Sequence, residues 1–310
     1  MTDAPTLAAA AAPARSQSFG AQLWGQFRRH TGGLVGLVVF VFIVLAVYIG
    51  PLIHTVDPNK LNIRDKNQGP SWVHPFGTDN LGHDFFAQVL AGGKVSLAVG
   101  MTAMLLSLFV GTLFGVLAGY FKRIDGPLMR ITDLFLALPI LPLLMVITML
   151  FRDPLRAALG TVFGPQGGIF ILIVFVIGIT SWMHTARIVR SDVLSVKNQE
   201  FVLAAKSSGM REYRVILKHI LPNVLSSVMV SATLGIASAI ITESALSFLG
   251  LGFPSDFPTW GRLLYDGVNF LQITPARAIW PGLAISLTVL SVNYIGDGIR
   301  DALDPRSMKR

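Results

Sequence analysis

Six stretches of this chain carry no charged side chain and are each long enough to cross a bilayer. They are Leu34–Ile53, Val95–Phe121, Leu134–Phe151, Ile169–Ala186, Val224–Thr242 and Ala278–Gly296. A spanning helix needs roughly 18–20 apolar residues, because every backbone N–H and C=O must be satisfied inside the segment once water is gone. Composition agrees: 52% of the residues are hydrophobic and 14% charged, where a soluble domain has about 25% charged. The pattern predicts an all-α membrane protein with six transmembrane helices.

Six spans place both ends of the chain on one side. Sorting Lys and Arg by side gives 17 on the face that holds both ends and the long polar segment around Glu200, against 8 on the other. Basic residues collect on cytoplasmic loops, so both termini and that segment are expected in the cytoplasm. Asn67, Pro165 and Ser255 are then expected outside, and Ser207 inside. The net charge of +8 follows from the same rule, and no nucleic-acid partner is expected. There is no cysteine, which excludes disulfides and thiolate metal sites. No phosphate loop of the G-x-x-x-x-G-K-[ST] kind occurs, so this chain is not expected to hydrolyse ATP, and no cofactor or metal is expected on it.

The spans divide the chain. Residues 1–18, rich in Ala, Pro and Ser, read as a disordered tail. Phe19, Leu23 and Phe27 recur every fourth residue with Trp24 beside them, which predicts an amphipathic helix over 19–33 lying on the inner leaflet. Residues 34–94 hold the first span and an extracytoplasmic segment. Residues 95–300 form the core with five spans and a cytoplasmic loop at 190–223, and 301–310 are a cytoplasmic tail.

Inside the spans, Gly111, Gly115 and Gly119 form a smooth stripe that lets another helix approach closely. Fixed packing and a sliding gate are both compatible with it. Pro139 and Pro142 remove backbone donors and predict a kink, which would also suit a moving gate. Glu243 is the one acid deep in a span, about 29 Å from Val224 along a helix. Intramembrane charges face a cavity or a partner. Glu243 either binds a cargo amine or holds neighbouring helices by hydrogen bonds.

Between the fourth and fifth spans runs Glu200-Phe-Val-Leu-Ala204-Ala205-Lys-Ser-Ser-Gly209, then a basic segment with Arg211, then His219-Ile-Leu-Pro-Asn223. Asn198 is placed to cap a short helix with Glu200 in its first turn, and Gly209 to end it in a left-handed conformation. This stretch resembles the "EAA" loop of bacterial ABC-importer permeases, which docks into a partner ATPase. The resemblance makes Glu200, Ala204, Ala205, Gly209 and Arg211 the expected coupling residues. Leu203 departs from it, because the family has glutamate before the paired alanines.

Three further stretches carry a resemblance to the peptide and nickel subfamily. His74-Pro-Phe-Gly-Thr-Asp79-Asn-Leu-Gly-His-Asp84 resembles its "HPLGTD-x-x-GRD" segment. There Thr78 or Asp79 is expected to cap a following helix with an apolar stripe of Leu81, Phe85 and Val89. His83 replaces the family's arginine, which puts an ion pair from that position in doubt; it reads as a packing or surface residue, or else as a metal ligand. Thr242-Glu243-Ser-Ala-Leu-Ser-Phe-Leu-Gly-Leu-Gly252 with Pro258-Thr-Trp-Gly261 resembles the "TEASLSFLGLG…WG" signature of peptide permeases, and Gly296-Asp-Gly-Ile-Arg-Asp-Ala-Leu-Asp-Pro305 their tail. The resemblance covers residues 20–306 and looks like a "C"-type subunit. It implies the type I ABC-importer permease fold in a bacterial plasma membrane, with di- or oligopeptides as cargo. Nickel, haem or another small cargo is the alternative, and an ion-coupled secondary transporter, which would need internal repeats and ionisable residues near the midplane, is the rival class. The partners it implies are a second homologous permease, two ATPase subunits or one fused ATPase carrying ATP and Mg, and an extracytoplasmic peptide-binding protein.

Overall fold

The computed structural model describes residues 19–254 and 257–303. The tail at 1–18, Ser255 and most of 301–310 therefore lie outside the described residues. Their regular structure is helical, with a single isolated bridge between Thr78 and Asp84 and no strand among them. The helices are α1 Phe19–Phe27, α2 Thr31–Ile53, α3 Phe85–Tyr120 and α4 Lys122–Ala137. A continuous run from Ile140 to Val196 follows, broken at Gly164 (φ 75°, ψ 164°), a conformation open only to glycine. Its halves are α5, Ile140–Gly164, and α6, Gly167–Val196. Then come α7 Glu200–Ser207, α8 Glu212–Phe248, α9 Trp260–Val268 and α10 Ala276–Leu303.

Five of these helices are long and apolar enough to cross a membrane, and α4 with α5 makes a sixth only as a bent pair that turns by 90°. The expected third span at Leu134–Phe151 straddles that bend, so it is a broken segment and not one helix. Proline explains the break. Leu138, ahead of Pro139, is pushed into extended backbone (ψ 137°), and Pro139 itself stands at the N-terminus of α5. Pro142 falls in the first turn of α5, where no N–H is needed. The two prolines start a new helix where the sequence reading had them kink an existing one.

The amphipathic helix expected over 19–33 ends at Phe27. His30 terminates that reading: its Nδ1 accepts from Gly33 N at 2.8 Å and caps α2. Phe27 is buried, seated over Gly33 and Gly298. Part of the aromatic face thus packs on the protein's own α10.

Helix α3 is 36 residues, about 54 Å long, against a hydrocarbon core of about 30 Å. It starts ten residues before the uncharged run does. Gly111, Gly115 and Gly119 are all buried against α6, where a Cβ would come within 2.7 Å of Trp182 O, Ala186 O and Val193 Cβ respectively. The stripe is a close helix crossing. The central core is built from Val99 and Ala103 of α3, Ile173 and Ile177 of α6, and Ala239 and Leu246 of α8.

The segment joining α2 to α3 is organised by Asp84. Its carboxylate caps α3 by accepting from Ala87 N at 2.7 Å. The same carboxylate lies 2.7 Å from His74 Nδ1 and 3.1 Å from His54 Nε2. Neither Thr78 nor Asp79 caps the helix, which corrects the expectation. Thr78 closes the loop by accepting from Gln68 N at 2.9 Å. Asp79 accepts from Leu81 N and His83 N and pairs with His83 Nδ1 at 2.6 Å. His83 thus has a carboxylate partner within its own loop. Leu81 is exposed and precedes α3, so the apolar stripe begins at Phe85.

Candidate functional site

Three features converge on α6 and α8. The first is the polar projection between them. Lys197 ends α6 and reaches across to donate to Gly119 O at 2.6 Å. Asn198 does not cap α7: its Nδ2 turns back to Leu194 O at 3.3 Å, and Gln199 stands at the cap with no side-chain bond. Gly209 ends α7 at φ 79°, with Gly209 N on Lys206 O and Met210 N on Ala205 O at 3.0 and 3.2 Å. That pair of bonds is the Schellman closure, which satisfies the last carbonyls of the helix. α8 then begins at Glu212 and contains one wide turn, where Leu221 N donates to Ile216 O. Pro222 has no N–H for the ordinary ladder, and the wider turn takes up the mismatch.

Helix α7 has two faces. Val202 is fully buried in a cluster with Val116, Val189, Val215 and Val224, and Ala205 faces the same way. Phe201, Leu203 and Ala204 point out, and Tyr213 and Leu217 of α8 continue the exposed apolar surface. Glu200, Gly209 and Arg211 are also exposed. Of the paired alanines only Ala204 is on the outer face. Lys206 lies 4.7 Å from the Tyr120 ring centroid and ties α7 to the end of α3. Beside this projection Arg190 grips Asp125 through two nitrogens, and Arg187 bonds Asp133. These pairs pin α4 to α6; the sequence reading counted both arginines only as markers of the inner side.

The second feature is a sealed polar node. Glu243 is fully buried and accepts from Ser96 Oγ of α3 at 2.9 Å and Ser247 Oγ at 2.7 Å. Ser96 Oγ also accepts from Trp260 N at 3.2 Å, and Trp260 Nε1 donates to Val89 O at 2.9 Å. Gly93 leaves room for the Trp260 ring, and Gly261 lies against the backbone of Ser244. The stretch around Glu243 and the Thr-Trp-Gly stretch are thus two sides of one joint between α3, α8 and α9. Gly250, at φ 77°, closes α8 as Gly209 closes α7.

The third feature is a cavity of about 980 Å³ between α6, α8 and the α4–α5 bend. Leu138 and Ile140 line it on either side of Pro139, while Pro139 and Pro142 are exposed and are not part of its lining. Glu243 is not part of its wall. The sequence reading treated Val224–Thr242 as an uncharged run and passed over its serines; their spacing was the available signal. No group of three or more His, Cys, Asp or Glu able to hold a metal ion occurs among the described residues.

Comparison with known proteins places this geometry. Residues 111–309 match the family described as binding-protein-dependent transport system inner membrane component, and residues 18–70 match the N-terminal transmembrane domain of oligopeptide transport permease C. The oligopeptide transport system permease protein OppC of Bacillus subtilis (strain 168) is 38% identical, over 92% of this chain and 88% of its own. The dipeptide transport system permease protein DppC of Alkalihalophilus pseudofirmus is 39% identical, over 91% and 88%. The glutathione transport system permease protein GsiD of Pectobacterium atrosepticum is 35% identical, over 92% and 90%. Among solved structures, an inward-facing form of the MetNI methionine ABC transporter superposes with a TM-score of 0.56 at 14% identity, covering 70% of this chain and 97% of that one. That likeness is one of fold.

Proposed function

The chain belongs to the family of binding-protein-dependent transport system inner membrane components, and we propose that it is the permease subunit of an ATP-driven importer of short peptides. It is a multi-pass membrane protein. Its relatives named for oligopeptide, dipeptide and glutathione transport align over about nine-tenths of its length. The observation that carries the reading is the build of α7: a short helix with an exposed apolar face, mounted rigidly on the ends of α3, α6 and α8.

A motor protein that grips Phe201, Leu203 and Ala204 moves a lever whose other face is packed into the bundle. Close-packed interiors transmit displacement and do not absorb it, so α3, α6 and α8 shift with α7. The partners of this reading are an ATPase pair or fused ATPase that carries ATP and Mg, a second permease, and an extracytoplasmic binding protein. The basic residues around α7 support a cytoplasmic position for it. The test is reconstitution of this chain with those partners in proteoliposomes. ATP-dependent accumulation of di- or tripeptides is expected. A complex that accumulates no peptide but does accumulate nickel or haem overturns the cargo assignment.

A further inference from the structure

The cavity between α6 and α8 has a wall chemistry that the import reading leaves unexplained. Ser227, Ser231, Ser238 and Thr242 of α8 all line it, at spacings of four, seven and four residues. Those spacings keep one helical face. Fifteen residues at 1.5 Å each make a ladder of about 22 Å, most of a hydrocarbon core of about 30 Å. Ser181 and Thr185 add hydroxyls from α6. Among the described residues no carboxylate lines the cavity, and its basic groups are His184 and, near the C-terminal end of α10, Arg300.

Serine in a membrane helix commonly bonds its own preceding turn. Thr242 does this, donating to Ser238 O at 2.8 Å, and Thr180 donates to Val176 O at 2.7 Å. Ser231 does not. It is 8% exposed, lines the cavity, and its Oγ has no hydrogen-bond partner among the described residues. A hydroxyl this buried and unbonded is disfavoured unless a group from outside the chain meets it. Glu243, next to Thr242 on α8, is already taken by Ser96 and Ser247.

We infer that this cavity receives the cargo peptide by its main chain, with the α8 hydroxyls pairing its amide groups and Arg300 receiving its carboxylate end. A hydroxyl both donates and accepts, and a peptide unit offers one N–H and one C=O. A hydroxyl ladder therefore bonds any short peptide in any register, whatever its side chains. A carboxylate-free wall avoids both repelling acidic cargo and trapping basic cargo. Arg300 supplies the permanent charge among the described lining residues, of the sign that suits a C-terminal carboxylate. The inference rests on the peptide-permease reading.

The chain has no cysteine, so Ser238→Cys can be labelled cleanly in the complete complex with cysteine-free partners. The probes are trialanine, trialanine amide and a sugar of similar size. Trialanine is expected to slow labelling of Ser238→Cys and the sugar to leave it unchanged. Trialanine amide should need about tenfold more ligand for the same protection, the worth of one charge-assisted hydrogen bond. Adding Arg300→Gln should erase that difference, and adding Ser231→Ala should weaken protection by both peptides alike. Labelling unaffected by peptide, in a complex that still imports trialanine, overturns the inference and leaves the import reading standing. A position that never labels shows this wall sealed against the second permease, and also overturns it. A complex that imports no peptide at all removes the import reading, and the inference falls with it.

Discussion

Ala204 and Ala205 are adjacent and identical in chemistry, yet a bulky residue does different damage at each. Ala205 faces the chain's own packing and Ala204 faces out. Ala205→Trp is expected to cost about 1–3 kcal/mol by overpacking, seen as a lower melting temperature of the assembled complex. Ala204→Trp should leave that temperature unchanged and abolish cargo-stimulated ATP hydrolysis. Identical behaviour of the two variants would rule out the two-faced lever. Glu243 makes a second pair of tests. Gln keeps an acceptor oxygen for one of the two hydroxyls and offers the other an N–H that a hydroxyl can accept, whereas Leu leaves both hydroxyl protons without an acceptor, at about 1–3 kcal/mol each. Glu243→Gln should assemble and transport, and Glu243→Leu should fail to assemble for every cargo. If Glu243→Gln assembled normally yet lost only cargo with a free amine, the node would be a binding group and not a joint.

At the scale of elements, the α3–α6 crossing holds the bundle together through absent side chains. A Cβ on Gly115 would stand 2.7 Å from Ala186 O and from Val189 Cβ. Gly115→Val must push α3 and α6 apart, and a loss of at least about 1–3 kcal/mol is expected, read as reduced yield and thermal stability after extraction. Gly126 of α4 is the control, since nothing lies within 4 Å of its Cβ position. Gly126→Ala is expected to be neutral or to stabilise by up to about 1 kcal/mol through helix propensity. A Gly115→Val protein as stable as the Gly126→Ala protein would show that the crossing is loose enough to slide. The α4–α5 bend is the complementary case, in which Leu138 and Pro139 end one helix and start the next beside the cavity.

At the scale of the whole molecule, the two ends of the bundle are held by different contacts. At one end Asp84 gathers His54 and His74, and Arg277 donates to Asn67 Oδ1 at 2.7 Å and Thr78 O at 3.0 Å. At the other, His30 lies 3.4 Å from Asp301, and Lys197 reaches Gly119 O. The start of α2, the end of α10 and α7 therefore share an end. Trp72 is fully exposed at the first end and Ser207 is exposed at the second. A single cysteine at Trp72 should react with an impermeant thiol reagent on intact cells, and one at Ser207 only after permeabilisation. Asn67 is less suitable for this because Arg277 holds it. Reaction at Ser207 from outside would invert the orientation and remove the basis for motor docking.

Local chemistry determined much of this protein. Uncharged runs set which helices are apolar enough to span, proline set the break at Leu138–Pro139, and Gly209 and Gly250 set where α7 and α8 stop. Each depends on a few consecutive residues, so each could be read in order along the chain. Even there, a proline pair was legible as a disturbance and not as a 90° turn, since the angle depends on what the next helix packs against. Tertiary structure alone decided which alanine of the pair faces out, because that follows from the roll of α7 on Val116 and Val224. It also decided that Asp84 caps α3 while Thr78 and Asp79 serve the loop, since all three are good caps by composition. Glu243 finds Ser96 from 147 residues away, and Ser231 finds no hydrogen-bond partner among the described residues. Helical period says which side chains share a face; only the packing of distant helices says whether that face meets protein, lipid or an open cavity.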